Sequence, residues 1–188
     1  MSFLRKFADS SKELGTIQGL AVCAMMLALR IVLGIVGNVS LSFIPLPVVK
    51  IVALVFIPVV VTGYLYGPVC AALVAGLGDI FSYLLQPTAF GYTPGITACY
   101  VLEGLIYGIC LYKSELKIKD LIITKALSLG LCTLTLQSLV LKLLFFANVP
   151  YYQILLWRAA ILVPMAVIEV LLLRAMKPLL ERVKRIGK

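Results

Sequence analysis

The sequence predicts an all-α, polytopic membrane protein: one integral membrane domain over residues 1–188 that forms a six-helix bundle with both termini cytoplasmic. Three observations support this class. The 188 residues are 62% hydrophobic, and their mean hydropathy is +1.10. Charged residues make up 13% of the chain, about half of the ~25% found in soluble domains. Several apolar runs reach the ~20 residues that a helix needs to cross a bilayer.

Turn-forming and charged segments separate the six predicted helices. SFIPLP, YGP, QPTAFGYTPG and NVPYY precede the second, third, fourth and sixth helices, and KSELKIKD lies between the fourth and fifth. Proline and glycine interrupt helices in this way because they favour turns. The predicted spans are about 16–37, 50–66, 68–86, 94–112, 121–147 and 153–176.

Lysine and arginine predict the orientation. Twelve of the 17 basic residues lie in the N-terminal arm, the 113–120 loop and the C-terminal tail. A six-span topology places all three segments on one side, and an excess of basic residues marks the cytoplasmic side. The net charge of +9 is therefore an orientation signal, and no nucleic-acid partner is needed to explain it. We expect a multi-pass protein of a prokaryotic cell membrane.

Four further cations lie at a different depth. Arg30, Lys50, Lys142 and Arg158 fall on four helices, each near the outer surface in this topology. Long basic side chains can reach outer headgroups by snorkelling, which is the simpler explanation for each one alone. Intramembrane charges more often line a cavity. Together, the four favour an outward-facing polar cavity that receives an anion.

One acid and several aromatic residues lie at a similar depth. Asp79, Tyr83 and Gln86 are spaced i, i+4, i+7 and share a helix face. A carboxylate accepts paired N–H donors, and aromatic rings supply stacking surfaces, so the pattern suits a flat heterocycle with an anionic tail. A structural ion pair and an interfacial aromatic belt are the alternatives. The candidate ligand-binding residues are Arg30, Lys50, Asp79, Tyr83, Gln86, Tyr92, Thr97, Tyr100, Trp157 and Arg158.

Deeper polar residues have a different interpretation. Glu103 and Glu169 lie nearer the cytoplasmic side, where we expect contacts between helices and no role in ligand binding. The five cysteines fall within apolar runs without metal-ligand spacing and are expected to be buried apolar side chains.

The sequence favours a binding subunit over an enzyme. It contains no histidine, the commonest general base and a usual zinc ligand, and it lacks a phosphate-binding Gly-x-x-x-x-Gly-Lys-Ser/Thr loop. It is also short for a carrier built from two inverted halves. We expect no catalytic residues, metal or cofactor, and ATP hydrolysis in partner proteins.

A row of small residues lies on the first helix. Ala24 and Ala28 form a small-x-x-x-small pair that Ala21 extends, and such rows allow close helix approach in lipid. At 3.6 residues per turn, Arg30 lies about 200° around the helix from Ala28. If Arg30 faces the interior, the alanines face lipid or another subunit; ordinary packing within the chain is the alternative.

The quoted motifs carry a family resemblance. AMMLALRIVLG, GYLYGPVCAALVAGLGDIFSYLL and GYTPGITACYVLEGLIYG make the chain similar to the substrate-binding S components of energy-coupling factor (ECF) vitamin transporters, in particular the folate-type group. The resemblance implies six helices, vitamin capture from outside, a transmembrane coupling (T) component and two cytoplasmic ATPases. It implies that Ala21, Ala24 and Ala28 dock on the T component, and that the S component topples during transport.

The resemblance also implies a ligand. Asp79 would pair with the pterin of folate, Trp157 and nearby tyrosines would stack on it, and Arg30, Lys50 and Arg158 would hold the carboxylates or line the pocket. One position departs from the family pattern, since Ile96 stands where Phe is usual. An S component for pantothenate, hydroxymethylpyrimidine or riboflavin is an alternative. A small membrane enzyme using Asp79 or Glu103, or a structural subunit without ligand, are alternatives of other classes.

Overall fold

A computed structural model describes residues 3–41, 55–87, 91–112, 114, 118–144 and 150–186. Within these ranges all regular elements are helical, which confirms the all-α prediction. In chain order they are α1 Phe3–Leu14, α2 Ile17–Leu41, α3 Phe56–Tyr66, α4 Pro68–Leu85, α5 Pro94–Leu111, α6 Ile118–Leu127, a π-helical segment Ser128–Leu136, α7 Gln137–Leu144 and α8 Tyr151–Ile186.

Five stretches of the described chain are long and apolar enough to cross a membrane: Ile17–Ile35, Pro68–Leu85, Pro94–Leu111, Ile118–Leu144 and Tyr151–Pro178. They match five predicted spans. The remaining prediction, 50–66, is described only as the short apolar helix α3, because its first residues lie outside the described ranges.

The predicted boundaries differ from the structure at three places. The polar N-terminal arm, which the sequence analysis left without structure, forms α1. The fifth predicted helix divides into α6, the π segment and α7. The sixth predicted helix ends at 176, whereas α8 continues to Ile186 through Pro178. Leu180 beyond that proline is buried in the core, so tertiary packing supports the extension.

Glycines allow the two most central helices, α4 and α5, to approach closely. A Cβ at Gly104 would lie 2.7 Å from the carbonyl oxygen of Ala71, and one at Gly108 would overlap Pro68. Gly104 and Gly108 follow each other by one turn, so this face of α5 contacts α4 through backbone atoms. Residue numbers rise along α4 as they fall along α5, which makes the helices antiparallel.

The base of the bundle is the end where α1 packs against the joint between α3 and α4. That joint is the single residue Gly67, whose φ of +89° favours glycine. The Ser10 hydroxyl of α1 donates to the Tyr66 carbonyl at 2.7 Å and accepts from the Val69 N–H at 3.1 Å. Ser10 thus supplies an N-terminal cap for α4 from a distant part of the chain. The opposite end, where α4 ends and α5 begins, is called the distal end.

Candidate functional site

Arg30 projects into the bundle from α2. Its side chain is 5% exposed, and the Cζ atom lies 5.2 Å from the centroid of the Tyr100 ring on α5. The Arg30 side chain occupies the space that a Cβ at Gly78 of α4 would need. Glycine at 78 therefore opens a slot through which the guanidinium reaches the aromatic face, a stabilising cation–π arrangement that strengthens with desolvation.

A cluster of hydroxyl-bearing residues around the Asp79 carboxylate lies beside this arginine. The Thr97 hydroxyl donates to Asp79 Oδ2 at 2.7 Å, and it lies 2.9 Å from the Tyr92 hydroxyl. Because threonine has one hydroxyl proton and donates it to Asp79, Tyr92 must be the donor of the second bond. The Tyr83 and Tyr92 rings pack with centroids 5.4 Å apart. The structure thus brings four predicted site residues together and orients one carboxylate oxygen of Asp79.

Arg158 of α8 is the second buried arginine. It is 7% exposed, and its Nη2 donates to Gln137 Oε1 at 2.8 Å. Its Nε is buried and has no hydrogen-bond partner among the described residues. An unpaired donor on a buried charge is costly, so this edge of the guanidinium is suited to receive an anionic acceptor.

Gln137 and Tyr100 connect the two arginines. The Gln137 side chain lies beside the Tyr100 hydroxyl, and its oxygen accepts a hydrogen bond from Arg158. Tyr100 in turn lies beneath Arg30. Gln137 was not among the residues predicted for the site; the signal in the sequence is that it is the single amide within the apolar run of the fifth predicted helix. The arrangement can bind an anion between two guanidiniums, beside a carboxylate that accepts N–H donors.

A second polar network lies deeper, toward the base. Lys125 of α6 forms an ion pair with Glu169 of α8, and its Nζ donates to the Tyr107 hydroxyl at 3.0 Å. Glu103 accepts from Tyr107 at 3.1 Å and from Ser128 at 2.9 Å. These bonds join α5, α6, the π segment and α8, as expected of interhelical contacts made by Glu103 and Glu169.

Comparison with known protein families identifies the family of this chain. The sequence model of "ECF transporter, substrate-specific component" matches residues 18–180. The chain belongs to this family. It is therefore a substrate-binding subunit of an ECF transporter, and the prediction that it is not an enzyme agrees with this.

Two individual proteins resemble this S component. The folate transporter FolT of Clostridium novyi (strain NT) is 30% identical over 118 residues, which cover 63% of this chain and 67% of that protein. A crystal structure of FolT bound with folic acid matches 90% of this chain and 98% of that chain, with a TM-score of 0.65 and 23% sequence identity. The structural likeness supports the fold described above.

Trp157, a predicted ligand-binding residue of the S component, is 62% exposed, on a face of α8 turned from Arg158. Lys142 lies with its Nζ 5.9 Å from the Tyr151 ring centroid, and Gln86 is the C-cap residue of α4. Lys50 falls outside the described residues. The ligand-binding roles of Trp157, Gln86 and Lys50 remain predictions.

The alanine row of the S component is on the surface of α2. Ala21, Ala24 and Ala28 are exposed, whereas Arg30 on the same helix is buried. The opposition of the two faces, expected from helical periodicity, is thus present in the structure. The docking role of the row remains a prediction.

Proposed function

We propose that this protein captures folate at the external surface of the cell membrane and delivers it through an ECF importer that contains a T component and two ATPases. In this proposal the described spans and a sixth around α3 cross the membrane with both termini cytoplasmic. The distal end, which carries Arg30, Asp79 and Arg158, then faces outside. The FolT relative supports folate as the ligand.

The observation that carries the proposal is the pairing of two chemically opposite subsites at the distal end. Asp79, with one oxygen held by Thr97, is an acceptor suited to the amino and ring N–H groups of a pterin. Arg30 and Arg158 are buried guanidiniums suited to carboxylates, which they bind through planar, paired N–H donors. Folate has a pterin at one end and two glutamate carboxylates at the other, so it can use both subsites.

Burial strengthens this recognition. Hydrogen bonds to charged groups contribute about 1.5–3 kcal/mol each, and a low local dielectric increases their electrostatic part. Tyr83 and Tyr92 lie beside Asp79 and offer aromatic surface to a flat head group, the role also predicted for Trp157. The sequence also predicts that Lys50 helps to hold the carboxylates.

An equilibrium titration tests the proposal. The purified chain is titrated with folic acid by calorimetry, and with pantothenate, riboflavin and hydroxymethylpyrimidine under the same conditions. We expect saturable binding of folic acid and recovery of the unchanged compound afterwards. Tight binding of one of the other compounds without binding of folic acid would reassign the ligand, and chemical conversion of folic acid would contradict a transport subunit.

A further inference from the structure

The fifth predicted helix places two polar side chains on one face although their spacing forbids it in an α-helix. Ser128 and Gln137 are nine residues apart, which corresponds to about 180° at 3.6 residues per turn. Yet both face α5: Ser128 donates to Glu103, and the Gln137 side chain lies beside the Tyr100 hydroxyl. A regular α-helix with Ser128 in its observed place would turn Gln137 to the opposite side.

The π-helical segment resolves this conflict. Over Ser128–Leu136 the backbone adopts i→i+5 bonding, as in the bond from the Gln137 N–H to the Cys132 carbonyl. Each π turn takes roughly 4.4 residues in place of 3.6, so nine residues complete about two whole turns. Gln137 therefore lies on the same face of the helix as Ser128. Buried Cys132 and exposed Thr135 fit this altered periodicity.

The neighbours of Gln137 show which end of its amide carries the oxygen and which carries the NH₂ group. Its Oε1 accepts from Arg158 Nη2, so the NH₂ group is the end of the amide that is free to face the neighbouring Tyr100 hydroxyl. One side chain thus holds both the plane of the Arg158 guanidinium and the ring that packs beneath Arg30. The Arg158 Nε edge is left without a partner among the described residues.

We propose that Gln137 is a positioning residue that orients the Nε edge of Arg158 toward an anionic group of the ligand. In this proposal the π segment places Gln137 within hydrogen-bond distance of Arg158. The ligand group is a carboxylate, or an oxyanion of similar geometry. This inference rests on the proposed function, because it assumes an anionic ligand at the distal end.

A point substitution tests the positioning role. Gln137→Leu removes the amide and its bond to Arg158 while retaining a similar volume, and Gln153→Leu makes the same change at an exposed position of α8. We expect Gln137→Leu to weaken folic acid binding about tenfold or more, as for loss of a bond to a charged group. Gln153→Leu should match the wild type. Binding of uncharged pterin, which has no carboxylate, should change little in either variant.

A double-mutant cycle shows whether Gln137 acts through Arg158. In an Arg158→Leu background, Gln137→Leu should change the Kd for folic acid by less than about twofold, because the group it positions is gone. An undiminished loss in that background, or an equal loss for uncharged pterin, would overturn the inference.

Deletion of Gly130 tests the contribution of the π segment. Removing one residue lets the segment return to α-helical bonding, and the eight remaining steps place Gln137 about 80° away from the face of Ser128. We expect a loss of folic acid affinity at least as large as that of Gln137→Leu. Gly130→Ala is the control, since a Cβ there meets no described atom within 4 Å. A deletion variant that folds and binds folic acid like the wild type would contradict the role of the segment.

The same variants separate this inference from the proposed function. If the wild-type chain binds no folic acid, the proposed ligand is wrong. Thermal unfolding of the ligand-free variants then still tests whether Gln137 and Arg158 interact. Non-additive losses in Tm for Gln137→Leu and Arg158→Leu support it; additive losses overturn it. If the wild type binds folic acid while neither cycle shows coupling, the inference fails and the proposed function stands.

Discussion

At the scale of single residues, the protein carries two kinds of buried charge. Arg30 and Arg158 lie near the distal end in contact with Tyr100 and Gln137, whereas Lys125 and Glu169 pair with each other nearer the base. Of the first kind, Arg158 keeps its Nε without a hydrogen-bond partner among the described residues. Of the second kind, Lys125 contacts both Glu169 and the Tyr107 hydroxyl. This difference suggests ligand binding for the first and structural support for the second.

Asp79→Asn should reduce folate binding with little loss of stability. The amide retains an oxygen for the Thr97 hydroxyl but loses the negative charge that the pterin donors require. We expect a fall in affinity for folic acid of about 10- to 100-fold, since such bonds contribute about 1.5–3 kcal/mol, measured by calorimetry. Asp120→Asn is the matched control, because Asp120 also accepts a hydroxyl bond, from Ser114 at 2.9 Å. Equal binding by the Asp79→Asn variant and the wild type would contradict the role of the carboxylate.

Lys125→Met should destabilise the fold. The substitution leaves Glu169 buried without its cation and removes a donor from Tyr107. Breaking a buried ion pair from one side costs about 3–5 kcal/mol, so we expect a clear fall in Tm. Adding Glu169→Gln should recover part of the loss. Lys119→Met, at an exposed position of the same helix, should leave Tm unchanged; similar effects of the two lysine substitutions would refute the structural role of the pair.

At the scale of elements, α1 stabilises the joint between α3 and α4. Gly67 alone connects these helices, so its neighbours cannot provide the capping side chain that the first turn of α4 needs. Ser10 provides it, and a Cβ at Gly67 would lie 2.8 Å from that of Ser10. The Lys6 ammonium also donates to the Ile109 carbonyl at the end of α5. α1 thus ties together the ends of three helices at the base.

Ser10→Ala should therefore lower thermal stability. Loss of an N-cap side chain costs about 0.5–2 kcal/mol, and here the same hydroxyl also serves the Tyr66 carbonyl. The expected fall in Tm is followed by circular dichroism. Ser11→Ala is the control, because the exposed Ser11 bonds only within α1, to Ala8 among the described residues. A Tm for Ser10→Ala equal to that of Ser11→Ala would show that the cap contributes little.

At the scale of the whole molecule, the two faces of α2 separate two tasks. Arg30 faces the interior, where it belongs to the proposed ligand site, and the alanine row faces outward. A surface of small residues allows another helix to approach closely. In the proposed importer this surface meets the T component, so ligand capture and energised delivery use opposite sides of one helix.

Ala24→Leu and Ala28→Leu together should uncouple these tasks. Larger side chains on the outer face prevent close approach of a partner helix but leave the interior unchanged. We expect normal folic acid binding by the isolated chain, loss of copurification with the T component, and loss of ATP-dependent folate uptake in vesicles that contain the partners. Ala126→Leu, at an exposed alanine of α6, should preserve all three; normal uptake by the double variant would exclude the row as the docking surface.

The helical class, five of the spans, the family resemblance and the opposite faces of α2 could all be predicted from the order of the residues. These features depend on hydropathy and on the 3.6-residue period, which are local properties of the chain. Arg30 and the alanines are close in sequence, so their relative direction follows from that period alone.

The N-terminal cap of α4, the burial of Arg158 and the placement of Gln137 depend on tertiary contacts. Ser10 caps a helix that begins 58 positions later in the sequence, and no local pattern indicates such a pairing. Trp157 and Arg158 are adjacent, but packing buries the arginine and exposes the tryptophan. Gln137 reaches Arg158 because the π segment uses more residues per turn than an α-helix. A change in the number of residues per turn has no signature in composition or hydropathy. Contacts between distant segments set these features, so they could not be predicted from the order of the residues.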